Sequence, residues 1–308
     1  MKTLTSTFIS FIIKYEFESF LRILREDFKE NYEKKKHNFI ISGLNNTNIG
    51  YLSFVSSFES KYGNVMERIA TKITKLKYGN TKVPSIINPH NLDFEITDKI
   101  KKLQQKSNQI IVTNLNIEDK KVIGKIASFR TEFQSKGRGK NKILCKINQR
   151  KIKQLLKMND LSTYKNDEIK VKPVDLAFYD EDNILNILEL KAGGNLDSSN
   201  GPKNIEKLLT IYSAVNDKNA KVFFATLYNK DGEGNEWNGN AKKYLKYPEM
   251  FLIGKVFWDK ILPTGISFEY FQIIYQSVLK ELNIDNYIDT LIKTVSERPL
   301  NITCQFKI

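Results

Sequence analysis

Two carboxylates and a lysine near the middle of the chain stand at a spacing that suits metal-assisted chemistry. Asp175 is followed, after thirteen residues, by Glu189-Leu190-Lys191. In an extended strand Glu189 and Lys191 project from one face, while Leu190 points the opposite way into a core. Carboxylate oxygens are hard ligands of the kind that Mg²⁺ prefers. This pattern predicts a magnesium site with a lysine beside it.

The spacing of Glu189 and Lys191 alone carries little information. An acidic residue two positions before a lysine occurs at least seven times in the chain, but only Glu189 stands within an alternating run that ends an apolar stretch, residues 187–191. A charged hairpin exposed to solvent would give the same sequence, so that alternative stays open at this point.

A β-hairpin would bring the two carboxylates together. If residues 180–184 form a five-residue connection, Tyr179 pairs with Leu185 and Asp175 lies directly opposite Glu189. Their Cβ atoms would then be roughly 5 Å apart. Like charges directly opposed destabilise a sheet, so the arrangement requires a cation between them. A four-residue turn would instead put Asp175 opposite an apolar residue.

The elements around the hairpin alternate between helical and strand periodicity. Apolar spacing predicts helices at residues 17–28, 65–76, 205–212 and 271–282 and strands at 221–228 and 250–253. The content of Asn, Pro and Gly predicts loops at 45–48 and 82–91. The order strand, strand, helix, strand from residue 171 onward predicts an α/β fold. We expect a single domain over 1–308, with a helical part at 1–95, a basic part at 96–160, a catalytic core at 165–260 and a helical part at 261–308.

The positive charge of the chain is local. The net charge is +14, and residues 99–157, here called the basic block, carry 17 lysines and arginines against three acidic residues. The densest part, 134–142, contains two glycines between its cations and is predicted to be a flexible loop. Lysines and arginines of this kind replace counterions along a nucleic-acid backbone. The predicted phosphate contacts are Lys136, Arg138, Lys140 and Lys142, and a solvated surface is the alternative.

Several classes of protein are excluded by composition. The chain contains two cysteines, Cys145 and Cys304, and two histidines, His37 and His90. Their spacing does not suit a zinc site, and the two distant cysteines cannot build a disulfide framework. With two histidines and two cysteines, the chain also offers few residues for histidine-dependent nucleophilic catalysis. No stretch approaches the roughly 20 apolar residues of a membrane span, and no secretory signal is visible, so a cytoplasmic protein is expected.

The chemistry-bearing residues resemble a known nuclease motif. Pro173-Val174-Asp175, followed by Glu189-Leu190-Lys191, is similar to the PD-(D/E)XK pattern, with one residue between the proline and the aspartate. Within that superfamily the segments 189–197, 223–229 and 251–258 look most like type II restriction endonucleases, with TdeIII-type enzymes as a suggested subgroup. The resemblance covers residues 170–258 and implies a restriction-endonuclease-like core, in which helices flank a mixed central β-sheet.

This resemblance implies roles for individual residues. Asp175, Glu189 and the backbone carbonyl of Leu190 would be Mg²⁺ ligands, and Lys191 would orient the attacking water and offset charge on the phosphorus centre. The implied reaction is Mg²⁺-dependent hydrolysis at a specific double-stranded DNA site that leaves 5′-phosphate ends. A homodimer and a cognate DNA methyltransferase are also expected. A repair or recombination nuclease, or a non-catalytic nucleic-acid-binding protein, are the alternatives.

Three further residues are weaker candidates. The superfamily often places an acidic residue of an early helix beside the metal, and Glu67 suits that role. Asn64 and Glu67 could instead form a helix-capping box, and the two roles are not exclusive. Lys203 and Lys207 lie one turn apart on the polar side of the helix after the motif, where they could reach a DNA phosphate. A solvated helix face is the alternative for both lysines.

The basic block generates the first testable prediction. Replacing Lys136, Arg138, Lys140 and Lys142 together with alanine should weaken DNA affinity and flatten its dependence on salt. Each lost phosphate contact should reduce the slope of log K against log salt by about 0.9. The measurement is a salt titration of DNA binding for both proteins, and an unchanged slope would return residues 134–142 to a solvated surface.

Overall fold

The computed structural model describes residues 4–89, 95–134, 146–157, 165–193 and 200–297. Its contacts divide the chain into two compact units. The helical unit comprises Met1–Ile69 and Glu269–Ile308, and the sheet unit comprises Ala70–Phe268. Both ends of the chain therefore belong to one unit, and the residues predicted to carry chemistry at 175–191 belong to the other.

Long amphipathic helices build the helical unit. The helices that contribute to it are α1 (Leu4–Lys36), α2 (Asn46–Tyr78), α8 (Phe268–Glu281) and α9 (Ile284–Ser296). The helix predicted at residues 17–28 is confirmed within α1, where Phe17, Phe20, Leu24 and Phe28 are buried and Leu21 is partly buried. Within the described residues, no helix is long and apolar enough to cross a membrane.

Two expectations for α2 are wrong. This helix begins at Asn46 and not near residue 65, so the loop predicted at 45–48 is reduced to Asn45, whose side-chain oxygen accepts a hydrogen bond from the backbone N–H of Asn48 at 2.8 Å. Asn64 and Glu67 consequently lie in the helix interior. Backbone amides there are already bonded within the helix, so the capping box is excluded.

Two sheets form the sheet unit. The first has the order β1-β2-β3, with β1 (Ile86–Ile87) parallel and β3 (Lys165–Val174) antiparallel to β2 (Gln109–Leu115). The second has the order β4-β5-β6-β7. Its strands are β4 (Leu176–Tyr179), β5 (Leu185–Lys191), β6 (Lys221–Thr226) and β7 (Phe251–Ile253). The β4–β5 pair is antiparallel and the other two pairs are parallel. The α/β class with mixed strand directions is confirmed, with two sheets where one central sheet was expected.

Helices of the sheet unit connect and cover these strands. They are α3 (Asp98–Lys106), α4 (Lys120–Glu132), α5 (Lys153–Lys157), α6 (Asn200–Val215) and α7 (Lys255–Ile261). The described part of the basic block is therefore regular structure with an apolar interior. Ile111 of β2 and Phe129 of α4 belong to the same core as Ile187 of β5. Residues 135–145, with Lys136, Arg138, Lys140 and Lys142, lie outside the described residues.

The predicted hairpin register is confirmed. Tyr179 pairs with Leu185, and Leu176 pairs with Leu188 at the far end of β4. The side chain of Asp180 closes the connection, because its Oδ1 accepts from the N–H of Ile184 at 2.9 Å. This places Asp175, the residue before β4, at the level of Glu189.

A single residue, Asp175, separates the end of β3 from the start of β4, so the chain changes sheets there. The side chain of Gln109, on β2, holds this crossing in place. Its amide donates to the carbonyl of Ala177 at 2.8 Å and its carbonyl accepts from the N–H of Ala177 at 2.6 Å. Gln149 makes the same pair of bonds with Val222 at the start of β6. Each glutamine side chain thus bonds a backbone N–H and C=O in the way that a neighbouring strand would.

Removing the Gln109 amide should destabilise the sheet unit. Gln109 is fully buried, so Gln109→Met leaves both backbone groups of Ala177 without partners. Each unpaired buried group costs about 1–3 kcal/mol, and the free energy of unfolding should fall by roughly 2–5 kcal/mol. Urea unfolding measures this difference. Gln105→Met, at an exposed position of α3, is the matched control and should be near neutral. Equal stability of the two variants would contradict the assignment.

Candidate functional site

Four charged side chains meet on one side of the second sheet. Asp175 lies between β3 and β4, Glu189 and Lys191 are in the last three residues of β5, and Lys207 lies in the middle of α6. The two-residue period of β5 places Glu189 and Lys191 on the same face, as predicted. The structure therefore brings Asp175, Glu189 and Lys191 together and adds Lys207 to them.

The distances define a compact cluster of ion pairs. Lys207 Nζ lies 2.7 Å from Asp175 Oδ1 and 2.8 Å from Glu189 Oε2, so one ammonium group bridges both carboxylates. Lys191 Nζ lies 2.6 Å from Glu189 Oε1 and 3.8 Å from Asp175 Oδ2. The backbone N–H of Leu190 donates to Asp175 Oδ2 at 2.9 Å, which fixes the Asp175 carboxylate against β5.

Burial and charge act on the two carboxyl groups in different proportions. Burial opposes ionisation of Asp175, but the charges of Lys207 and Lys191 outweigh it and hold the pKa of Asp175 below its usual value. The Glu189 side chain is only 1% exposed, and this burial, followed by repulsion from Asp175, raises the pKa of Glu189. Burial alone would lower the pKa of Lys207, yet Asp175 and Glu189 raise it above its usual value. The ammonium group of Lys207 thus stays charged because it lies between the two acids.

The donor set of this cluster fits a hard divalent cation. Neither oxygen of Glu189 accepts a hydrogen bond of good geometry from the described residues, although both oxygens are buried and face lysines. An oxygen of Asp175 and one of Glu189 converge on a single positive atom, the Nζ of Lys207. Within the described part of the chain, no group of three or more Asp, Glu, His or Cys side chains forms a metal site. Backbone or water oxygens would therefore have to complete the coordination.

The two lysines of α6 have different environments. Lys203 is exposed, in keeping with a position open to phosphate or solvent. Lys207 instead points at the carboxylates, a contact that the sequence analysis missed. A signal for it was present, because Lys207 lies between the buried residues Ile205 and Leu208 and so borders the packed face of the helix.

A third lysine near the cluster was also missed. Lys172 of β3 is partly buried, and burial together with the charge of Lys207 lowers the pKa of Lys172. Glu118 and Glu189 act in the opposite direction. Lys172 therefore adds positive potential beside the carboxylates. Glu67 belongs to the helical unit, and its role stays a prediction.

The segments that follow β5 and β6 pack closely against each other. Gly193, two residues after Lys191, has φ +136°, and a Cβ there would lie 2.6 Å from the ring of Tyr228. Beyond Tyr228, Glu233 accepts from the N–H of Asn229 at 2.9 Å and from the N–H of Lys255 at 3.0 Å. The loop after β6 is thereby tied to the first residue of α7.

Two neighbouring carboxylates, one buried and one largely shielded from solvent, lie beside lysines near the end of β5 in an α/β unit. This arrangement suits an enzyme that acts on phosphate esters with a divalent cation. The family model described as "Type II restriction endonuclease, HinfI" matches residues 5–279. This match covers most of the chain, and the chain therefore belongs to the HinfI family of type II restriction endonucleases.

Family membership implies a site-specific nuclease that binds double-stranded DNA. The expectation of a type II restriction endonuclease is confirmed, whereas the TdeIII-type subgroup receives no support from the match. Comparison with curated proteins and with solved structures gave no match.

The close contact of Gly193 with Tyr228 can be tested by a double-mutant cycle. Gly193→Ala should destabilise the protein by about 1–3 kcal/mol, because the new Cβ meets the Tyr228 ring in a backbone region unfavourable for alanine. Tyr228→Ala in the same protein should recover the steric part of that loss. Urea unfolding of the four proteins gives the coupling energy, and a value of zero would exclude this contact.

Proposed function

We propose that this protein hydrolyses phosphodiester bonds at a specific double-stranded DNA site, with Mg²⁺ bound by Asp175 and Glu189, and leaves 5′-phosphate ends. One observation carries the proposal. Oxygens of the two carboxylates, supplied by neighbouring parts of one hairpin, lie 2.7 and 2.8 Å from a single positively charged atom. Two opposed acids that are shielded from water cost stability unless a cation lies between them, and this arrangement supports a cation-binding function.

The residues that would hold the ion are Asp175, Glu189 and the backbone carbonyl of Leu190. A bound Mg²⁺ would supply a water molecule of lowered pKa and stabilise the negative charge that develops on the phosphate. The hydrogen bond from the Leu190 N–H restrains Oδ2 of Asp175. It leaves Oδ1, now facing Lys207, as the oxygen that is available to another cation.

Lys191 would act on the substrate. Its side chain is 30% exposed and follows Glu189 on the same strand face, so its ammonium group can turn from Glu189 Oε1 toward a phosphate or an attacking water. In that position it orients the water and offsets charge in the transition state. Its contact with Glu189 in the absence of DNA keeps it beside the reacting atoms.

DNA binding would use positive charge outside the carboxylate cluster. The basic block carries the whole net excess of charge, and Lys203 lies exposed on α6, close in sequence to the site. Phosphate contacts position the duplex, while base contacts specify the sequence. A palindromic site is read by two-fold symmetric proteins, so we propose a homodimer that works with a cognate DNA methyltransferase in a restriction system.

Substitutions in the cluster test the catalytic assignment. Asp175→Asn, Glu189→Gln and Lys191→Ala should each lower the cleavage rate by about 100-fold or more, because each removes charge that acts in the transition state. Binding to DNA should survive. The measurement is single-turnover cleavage of a DNA that contains the site, with a binding assay beside it. The matched control is Glu181→Gln, at an exposed position in the turn of the same hairpin, which should cut at the wild-type rate. Near wild-type cleavage by Glu189→Gln would overturn the proposed site.

A change of cation separates an enzyme from a simple binding protein. Ca²⁺ has looser coordination and a less acidic bound water than Mg²⁺, so with Ca²⁺ the protein should bind its site and leave it uncut, and exchange into Mg²⁺ should release product. Affinities for one cleavage-inert duplex are compared with Ca²⁺, Mg²⁺ and a chelator at equal ionic strength. Equal affinities with Ca²⁺, with Mg²⁺ and with the chelator would contradict a metal site at Asp175 and Glu189.

A further inference from the structure

Lys207 occupies the position between the two carboxylates that a divalent ion would need. Its Nζ atom bridges Asp175 Oδ1 and Glu189 Oε2 at nearly equal distances of 2.7 and 2.8 Å. A divalent cation shared by these two acids would contact the same two oxygens. The ammonium group and the ion therefore compete for one set of ligands.

Lys191 does not occupy the shared position in the same way. Its Nζ atom is close to Glu189 Oε1, at 2.6 Å, but lies 3.8 Å from Asp175. Lys191 therefore offsets mainly the charge of Glu189, whereas Lys207 contacts both acids closely. Lys207 also comes from α6 and not from the hairpin, so its side chain can withdraw without any change in the strands that hold the acids. With 28% of its side chain exposed, it has solvent to move into.

We propose that Lys207 is an internal counter-ion that occupies the cation position between Asp175 and Glu189 until a divalent ion displaces it. This inference rests on the metal site of the proposed function and adds a regulatory role for a residue that is not itself a ligand. Lys207 keeps the two buried acids compatible with folding in the absence of metal. The same contact lowers the affinity of the protein for divalent ions.

DNA offers the displaced ammonium group a second anionic partner. A phosphate near the carboxylates would attract Lys207 away from them and so favour entry of the ion. Binding of DNA and binding of the ion are then coupled, and thermodynamic linkage makes the coupling reciprocal. A protein that holds its catalytic ion weakly until DNA is present is kept inactive away from its substrate.

The affinity of the full-length protein for Ca²⁺ without DNA tests this inference. Calorimetric titration should show that Lys207→Met and Lys207→Gln bind Ca²⁺ about tenfold or more tightly than wild type, because the competing charge is gone. Lys207→Arg retains the charge and should bind as weakly as wild type. Lys203→Met, one turn earlier on α6 and exposed, removes the same charge without touching the acids, and its Ca²⁺ affinity should stay close to wild type. Circular dichroism verifies the fold of each variant.

Glu189→Gln separates failure of the inference from failure of the site. If Glu189→Gln abolishes Ca²⁺ binding but Lys207→Met binds no more tightly than wild type, the metal site stands and the counter-ion role is wrong. If Glu189→Gln leaves Ca²⁺ binding unchanged, the ion lies elsewhere and both proposals fail. Equal gains for Lys203→Met and Lys207→Met would show a general charge effect and also overturn the counter-ion role.

A cleavage-inert duplex gives an independent reading of the coupling. Wild-type protein should gain Ca²⁺ affinity when the duplex is bound, and Lys207→Met, already relieved of the competitor, should gain at least severalfold less. Identical gains for the two proteins would exclude Lys207 as the link between DNA and the ion.

Discussion

The arrangement of the site depends on one electrostatic constraint, the need to hold two carboxylates side by side away from water. Glu189 is almost fully buried and the Asp175 side chain is only 13% exposed, so their mutual repulsion has to be offset by positive charge. Lys207 and Lys191 provide it, one from α6 and one from β5. The helix after the hairpin therefore matters as much as the motif on the strands. Without its lysine, the pair of acids would oppose folding unless an ion were already bound.

The backbone around the acids is fixed by a second set of contacts. Asp175 stands where the chain leaves one sheet and enters the other, and the buried amide of Gln109 bonds both backbone groups of Ala177 just beyond it. The N–H of Leu190 then holds Oδ2 of Asp175. These bonds orient the Asp175 carboxylate with little freedom, which suits a ligand that must meet an ion in a defined geometry.

The local parts of this arrangement could be predicted from sequence, and the long-range parts could not. Alternation in β4 and β5 and the five-residue connection predicted that Asp175 stands at the level of Glu189, and the register of Tyr179 with Leu185 confirms it. Nothing near Gln109 in the sequence indicates a bond to a residue 68 positions away. The basic block was treated only as a charged region, although it contains the uncharged and buried strand β2. Lys207 was identified as a polar helix residue, but whether it faced solvent or the acids depended on how α6 packs.

The most direct test of the account is a crystal structure with Mn²⁺ and a cleavage-inert duplex, in which anomalous scattering locates the ion. The account predicts an anomalous peak in contact with carboxylate oxygens of both Asp175 and Glu189, with Lys207 Nζ turned away from them. A Mn²⁺ ion bound elsewhere, with Lys207 still bridging the two acids, would contradict the central claim that this cluster is the metal site of the nuclease.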